Sequence, residues 1–285
     1  MKTIDEQEVD KQVVEQQMIE IYSYVDDYLK ANKGLAQWRQ SINGEPKFTD
    51  AEVITIGLMQ GCFGVDTLIE SYDHIHKNYR SAFPYLCCYK QWINRLHQLD
   101  EIIGKLLAAT CFIGQHTLYL VDSKPIPVCH PIRHGRVRLL REDGSYWGKT
   151  SKGCFFGFKL HTLYNIDGCI INAILTPANW DDRDVVLALS LSVDGGIMLA
   201  DLGYRGDIPA QLLADEADML LIRRSDAPAQ RELISSVRQK IETLFSQLAN
   251  AFIDKVFSRS WRGLWNTIKL KMLNYNLRHL HLLSA

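Results

Sequence analysis

The stretch Gly195-Gly196-Ile197-Met198-Leu199-Ala200-Asp201-Leu202-Gly203-Tyr204-Arg205-Gly206-Asp207 decides the fold. Four apolar residues follow a glycine pair and end on an acid. A short apolar run bounded by glycine reads as a strand buried on both faces. Asp201 then stands where that strand runs out, at the start of a glycine-containing loop. In open α/β sheets, ligands collect at the carboxyl ends of strands. A carboxylate buried there is paired or holds a metal. Taken alone, Asp201 is more simply a helix cap or a salt-bridged acid. A second stretch of the same design shifts that balance.

The second stretch is Thr117-Leu118-Tyr119-Leu120-Val121-Asp122-Ser123. Five strand-forming residues again end on an acid, and Pro125 and Pro127 are expected to stop regular pairing soon after. A third acid, Glu242, adjoins the helical stripe of Ile234, Val237, Ile241, Leu244, Phe245, Leu248 and Phe252. Two Asp at strand ends and one Glu on a late helix make a constellation of hard oxygen donors. Mg²⁺ takes one or two carboxylates plus substrate phosphate. Two such ions about 4 Å apart suit in-line phosphodiester chemistry.

Around these stretches, residues 113 onward read as an α/β domain. Phe155 to Asn165 and Cys169 to Leu175 are strand-like runs joined by Asp167-Gly168, a hairpin signal. A helix from about Arg183 to Ser192, the strand to Asp201, a helix near Ile208 to Glu216 and a strand from Asp218 to Ile222 follow. The Glu242 helix and a helical tail complete the chain. Three antiparallel strands, then helix, strand, helix, strand, helix is the order of a ribonuclease-H-like fold. That predicts a mixed five-stranded sheet with helices on both faces, its first and fourth strands adjacent at the centre. Asp122 and Asp201 are then neighbours in space.

Residues 1–112 read as a mostly helical N-terminal domain, with 113–285 as the second domain. Val13, Val14, Met18, Ile21, Tyr22, Val25 and Leu29 recur at helical spacing. Thr49 followed by Glu52 is a capping box. Further helices fit Asp66 to Asn78 and Tyr89 to Cys111, with an interruption at Phe83-Pro84. This domain is either a site for DNA ends or a partner, or a packed scaffold. No recognition helix rich in Arg, Lys, Asn or Gln stands out.

The 285 residues carry a net charge of −1, unevenly placed. The first thirty are acidic, whereas Lys255, Arg259, Arg262, Lys269, Lys271 and Arg278 follow Asp254 with no acid among them. A loop expected from 124 to 153 holds Lys124, Arg133, Arg136, Arg138, Arg141, Lys149 and Lys152, with Tyr146 and Trp147 interleaved. Such basic stretches suit a polyanion. Lys159 and His161 share one face of a strand, and Arg238 stands one turn before Glu242. These basic residues are candidate phosphate contacts, while Arg238 serves equally to neutralise the acids. No apolar run approaches the roughly 20 residues of a membrane span. Seven cysteines without a CxxC, and an acidic N-terminus without signal-peptide features, point to the cytoplasm. Cys129, His130 and His134 offer a weak zinc cluster without a second ligand pair.

Val121-Asp122-Ser123, Phe156-Gly157-Phe158-Lys159-Leu160-His161, Thr176-Pro177-Ala178-Asn179, Asp181-Asp182-Arg183-Asp184 and Ala200-Asp201-Leu202-Gly203-Tyr204 together resemble the DDE transposases of bacterial insertion sequences. The resemblance is nearest to the insertion-sequence family numbered 982 and covers roughly residues 48 to 280. Arg238 to Phe245 resembles the segment that carries the third acid. The resemblance implies that Asp122, Asp201 and Glu242 are the catalytic, metal-binding triad, using Mg²⁺ with Mn²⁺ able to substitute. It implies cleavage and joining of double-stranded DNA with terminal inverted repeats, transfer into target DNA, and a homodimer or larger assembly on DNA at the bacterial nucleoid. Ser235 and Ala249 depart from accessory positions of a related group, which carry Tyr and Lys there. Two alternatives remain open. One is a decayed or domesticated DNA-binding protein of transposase origin. The other is a different ribonuclease-H-like nuclease, such as a junction resolvase. Asn179 and Asp182 are expected to be loop and helix-start residues.

Overall fold

The computed structural model describes residues 4–35, 46–111, 116–137, 146–150, 153–201, 204, 206–223, 239, 243, 246, 258 and 260–284. Contacts divide the chain into two compact units, Met1–Leu107 with Arg262–Ala285, and Ala108–Trp261. The first is helical and the second is a mixed α/β unit. Among the described residues, no single helix is long and apolar enough to cross a membrane.

The helical unit contains α1 (Ile4–Ala31), α2 (Asp50–Phe63), α3 (Leu68–Asn78), α4 (Tyr89–Gln98), α5 (Asp100–Cys111) and α8 (Trp261–His279). Thr49 caps α2 through the expected capping box with Glu52, and Thr67 caps α3 in the same way with Glu70. The predicted helix from Tyr89 to Cys111 is two helices, because α4 ends at Leu99 and α5 restarts at Asp100. Met18, Ile21 and Val25 of α1 are buried, as their spacing predicts. α2 is buried at Ala51 and from Val53 to Gln60, which fits an apolar helix placed at a core's centre.

The C-terminal helix departs from expectation. Its residues from Arg262 onward belong to the helical unit, although the tail was expected in the second domain. Several of its polar side chains are buried and bond backbone carbonyls of α2, α4 and α5. Asn266 donates to Leu96 O at 2.9 Å, Asn274 to Leu58 O at 3.1 Å and Lys269 to Asp100 O at 2.8 Å. Gly61 has no room for a Cβ because the Asn274 side chain occupies that space, so α2 and α8 approach closely. Lys269 and Lys271, two of the basic residues expected to meet a polyanion, are therefore core residues.

The second unit holds a six-stranded sheet: β1 (Leu118–Cys129), β2 (Trp147–Thr150), β3 (Gly153–Asn165), β4 (Ile170–Pro177), β5 (Gly196–Ala200) and β6 (Met219–Arg223). β3 lies antiparallel to β1, β2 and β4, while β5 lies parallel to β1 and β6. The long strands therefore run β4-β3-β1-β5-β6. The β3–β4 hairpin turns at Asp167-Gly168 as predicted, with Gly168 at φ 96°. The glycine pair before β5 has a local cause. Gly195 and Gly196 have φ of 77° and 128°, and side chains there would strike Asp218 O and Thr117 O. α6 (Val186–Ser190) and α7 (Asp207–Ala217) follow β4 and β5. Val186, Leu189 and Leu213 from these helices share a core with Val121, Leu163, Met198 and Ala200.

Two corrections concern the segment expected to be a loop from 124 to 153. β1 does not end near Asp122 but continues through both prolines, with Pro125 opposite Lys159 and Pro127 opposite Gly157. β5 pairs with β1 only as far as Val121, and beyond that point no strand among the described residues pairs with this edge of β1. A proline costs no ladder hydrogen bond on such an edge. Lys124 is thus a strand residue. Trp147–Thr150 then adds the sixth strand, which carries Lys149. Between them, Pro131–Arg136 forms a 3-10 helix bearing Arg133 and Arg136.

Candidate active site

β1 and β5 set the geometry of the two aspartates. Val121 is the register partner of Ala200 in the parallel ladder. Asp122 and Asp201 are the next residues of each chain segment, so they emerge side by side at one level of the sheet. Both are partly buried. Asp122 Oδ1 accepts the Ser123 backbone N–H at 2.7 Å. Two hard oxygen donors, one just past the end of β5 and one within β1 where its pairing with β5 stops, suit a divalent cation. Glu242 and Arg238 lie outside the described residues, as do Arg138, Arg141 and Lys152. Among the described residues, no group of three metal-ligating side chains forms, and Cys129, His130 and His134 make no such cluster.

Beside Asp122 stands an acid that the sequence reads only as a loop or helix-start residue. Asp182 opens a 3-10 turn after β4, and three residues converge on its carboxylate. Lys159 Nζ donates to Oδ1 at 3.0 Å, and Ser123 Oγ donates to Oδ2 at 3.1 Å. His161 Nδ1 lies 3.6 Å from Oδ1. Lys159 also donates to Trp180 O at 2.7 Å, so this candidate phosphate contact is engaged within the protein. His161 is fully buried, and its Nε2 meets Thr176 Oγ1 at 2.8 Å. Burial drives the imidazole pKa down to about 4, with the Lys159 charge adding to the effect and Asp182 opposing it. The neighbouring Asp181 caps the turn: its Oδ1 accepts from Arg183 N at 3.0 Å. Its bonds from the Arg183 side chain hold its own pKa down to about 2.

Tyr204 lies within electrostatic reach of several of these acids. Its hydroxyl is buried and has no hydrogen-bond partner among the described residues. Burial raises its pKa well above the usual phenol value, and the charges of Asp182, Asp122, Asp201 and Asp181 push in the same direction. In the sequence Asp182 shows as a helix-start acid within Asp181-Asp182-Arg183-Asp184. Its partners Ser123 and Lys159 stand far away along the chain, so spacing alone could not reveal them.

The basic residues separate into two groups. Lys124 follows Asp122 by two residues on β1, and so lies on the same face of the sheet. Arg133 and Arg136 are exposed on the 3-10 helix, and Lys149 is exposed on β2. An aromatic contact joins these latter elements, with His134 and Trp147 centroids 4.9 Å apart. Trp147 and Tyr146 both pack on Phe156, at 5.4 Å and 5.8 Å. Tyr146 is buried, as an anchor of this segment should be, whereas Trp147 remains 38% exposed. A groove of about 500 Å³ runs past Trp147, Lys149, Lys159, Asn179, Trp180 and Asp182.

The fold and the two aspartates define a mixed α/β protein that carries acids on neighbouring strands where their pairing stops. Comparison with protein families gives that class a name. A family model described as "Transposase DDE domain" matches residues 112–259, just over half of the chain, and the chain belongs to this family. No curated protein matches it. Membership supports a nuclease or transposase enzyme in general, and with it the use of divalent metal and the binding of DNA.

Proposed function

We propose that this chain is a DNA transposase that cleaves and joins insertion-sequence ends, of the kind found in the insertion-sequence 982 family. The observation that carries the proposal is the register of Val121 with Ala200, which supports a shared cation between Asp122 and Asp201. The strand order β4-β3-β1-β5-β6 supports a ribonuclease-H-like sheet around them. Glu242 completes the triad in this proposal. Two Mg²⁺ ions, when bound, would activate water or a 3′-hydroxyl as nucleophile and stabilise the leaving oxygen.

The chain's own residues supply the remainder. Asp122, Asp201 and Glu242 hold the cations. Lys124 faces the same volume as Asp122 and meets the backbone of the strand being cut. Arg133, Arg136, Arg138, Arg141, Lys149 and Lys152 hold flanking phosphates, and Arg238 sits by the third acid. Positioning of two DNA ends supplies rate by orientation. That requirement favours a homodimer or larger assembly on DNA, acting on terminal inverted repeats and target DNA in the bacterial cytoplasm. The helical unit, residues 1–107 with 262–285, serves as a platform for DNA ends or for a second copy.

The test is strand cleavage. Labelled duplexes taken from both flanks of the gene are incubated with the full chain and Mg²⁺. Nicking at a repeat end is expected, lost in Asp122→Ala and Asp201→Ala. Tight, repeat-specific binding without cleavage by the native chain would instead establish the decayed, DNA-binding alternative.

A further inference from the structure

We propose that Asp182 is a positioning residue that sets the orientation of Asp122 through Ser123. Ser123 is bonded on both sides. Its backbone N–H donates to Asp122 Oδ1 at 2.7 Å, and its hydroxyl donates to Asp182 Oδ2 at 3.1 Å. One residue thereby ties the two carboxylates to a common frame. The inference rests on Asp122 being a metal ligand, as proposed above.

Asp182 is itself held more firmly than a turn residue needs. Lys159 fixes Oδ1 from β3 at 3.0 Å and is pinned in turn by Trp180 O at 2.7 Å. His161 stands two residues along the same strand. Its Nε2 is engaged by Thr176, and its buried Nδ1, without a hydrogen-bond partner among the described residues, lies 3.6 Å from Asp182 Oδ1. A buried polar nitrogen left unpartnered costs stability. It gains a partner if Asp182 moves by a few tenths of an ångström. The neutral imidazole presents a proton there when the Thr176 hydroxyl donates to Nε2. Grouping a buried histidine with a lysine and a carboxylate that are each about a fifth exposed contributes little to folding, because desolvation offsets their attraction. Fixing one acid beside another is what such an arrangement accomplishes. Supporting partners of this kind orient the groups that bind a metal and tune its affinity.

The location agrees. Ser123 directly follows Asp122 on β1, so its hydroxyl bond brings the Asp182 carboxylate to the residue next to Asp122. Lys159 offsets the charge of Asp182 within the protein, so Asp182 can steady its neighbour without competing strongly for the cation.

The experiment titrates the full chain with Mn²⁺ and reads free Mn²⁺ by electron paramagnetic resonance, alongside a melting curve for each variant. Removing a supporting hydrogen bond typically weakens metal binding by roughly 10- to 100-fold. That weakening is expected for Asp182→Asn and for Ser123→Ala, while Ser123→Thr, which keeps the hydroxyl, binds as the native chain does. Native affinity in a folded Asp182→Asn overturns the proposal. So does a Ser123→Thr chain as weak as Ser123→Ala, because the hydroxyl is then not the link. If Asp182→Asn does not fold, the Ser123 pair decides by the same criterion. A native chain with no Mn²⁺ site sensitive to Asp122→Asn overturns both this proposal and the metal-dependent function. A site abolished in Asp122→Asn but untouched by Asp182→Asn and Ser123→Ala overturns the positioning role alone.

Discussion

Val121 and Ala200 are the last partners in the parallel ladder at the centre of the sheet, so the acids that follow them stand side by side where the two strands part. Residues separated by most of a domain in sequence thus become one pair of oxygen donors. Replacing Asp122 or Asp201 by Ala should leave binding to terminal-repeat DNA intact and lower cleavage by roughly a thousandfold. That factor corresponds to about 4 kcal/mol of transition-state stabilisation that goes with the cation. The measurement is a cleavage time course beside a binding isotherm. A variant that cuts at near-native rate would remove that aspartate from the site.

The two apolar runs ending on acids were enough to predict this pair, because a buried strand needs little more than its own residues to declare itself. Other features depend on neighbours. β1 continues through Pro125 and Pro127 since β5 has already left its edge, a fact about β5 rather than about the prolines. Trp147–Thr150 has too few residues to show a period of two, and pairs only because Gly153–Phe156 returns beside it. Lys269 and Lys271 read as surface charge, but the helix end and loop carbonyls they bond belong to other segments. Asp182 is legible as a cap and becomes more only when Ser123, Lys159 and His161 arrive from two strands.

Salt dependence tests the basic corner. Arg133 and Arg136 on the 3-10 helix and Lys149 on β2 are exposed. Abolishing one side chain's hold on a phosphate should reduce the slope of log affinity against log salt by about 0.9 on duplex DNA. Replacing all three by Ala should therefore flatten the slope by nearly 3, summing about 0.9 for each. An unchanged slope would show that DNA passes elsewhere.

Gly157 should tolerate no side chain. A Cβ there would collide with the backbone carbonyl of Ile126, next to the register shift between Pro127 and Cys129. Backbone in a sheet cannot yield as a side chain can. Gly157→Ala is expected to destabilise the sheet unit by about 3 kcal/mol. Hydrogen exchange should show weakened protection at β1 and β3 amides, and native protection there would mean that the bulge absorbs the methyl group.

Lys269 gives a matching test in the helical unit. Its ammonium is buried and bonds both the Asp100 backbone carbonyl at 2.8 Å and the Asp100 carboxylate at 2.5 Å. Lys269→Met keeps the apolar stem and removes both bonds. Asp100 is about one third exposed and can rehydrate, so the cost should be about 2 kcal/mol rather than that of a fully buried pair. A lowered melting temperature checks this, with Lys269→Arg as the charge-preserving control. A melting temperature unchanged in Lys269→Met would place the ammonium in water.

His161 makes stability depend on pH in a direction that can be worked out. In an unfolded chain its pKa is about 6.5, whereas burial holds it down to about 4 in the fold. Between those values the unfolded state binds more protons than the native state, so stability rises with pH across the window. Acidification from neutral pH should therefore weaken the fold, by up to about 3 kcal/mol at the lower end. Asp182 opposes this by favouring the imidazolium, and Lys159 reinforces it. Carboxylates elsewhere also respond to acid, but they do so equally in a His161→Gln variant. The informative quantity is thus the difference in denaturation midpoint between native and variant chains, followed from about pH 7 to about pH 5. It should shift in favour of the variant as pH falls. A difference that stays constant, or moves in favour of the native chain, would mean that Asp182 outweighs burial and the folded protein carries a charged imidazole at this site.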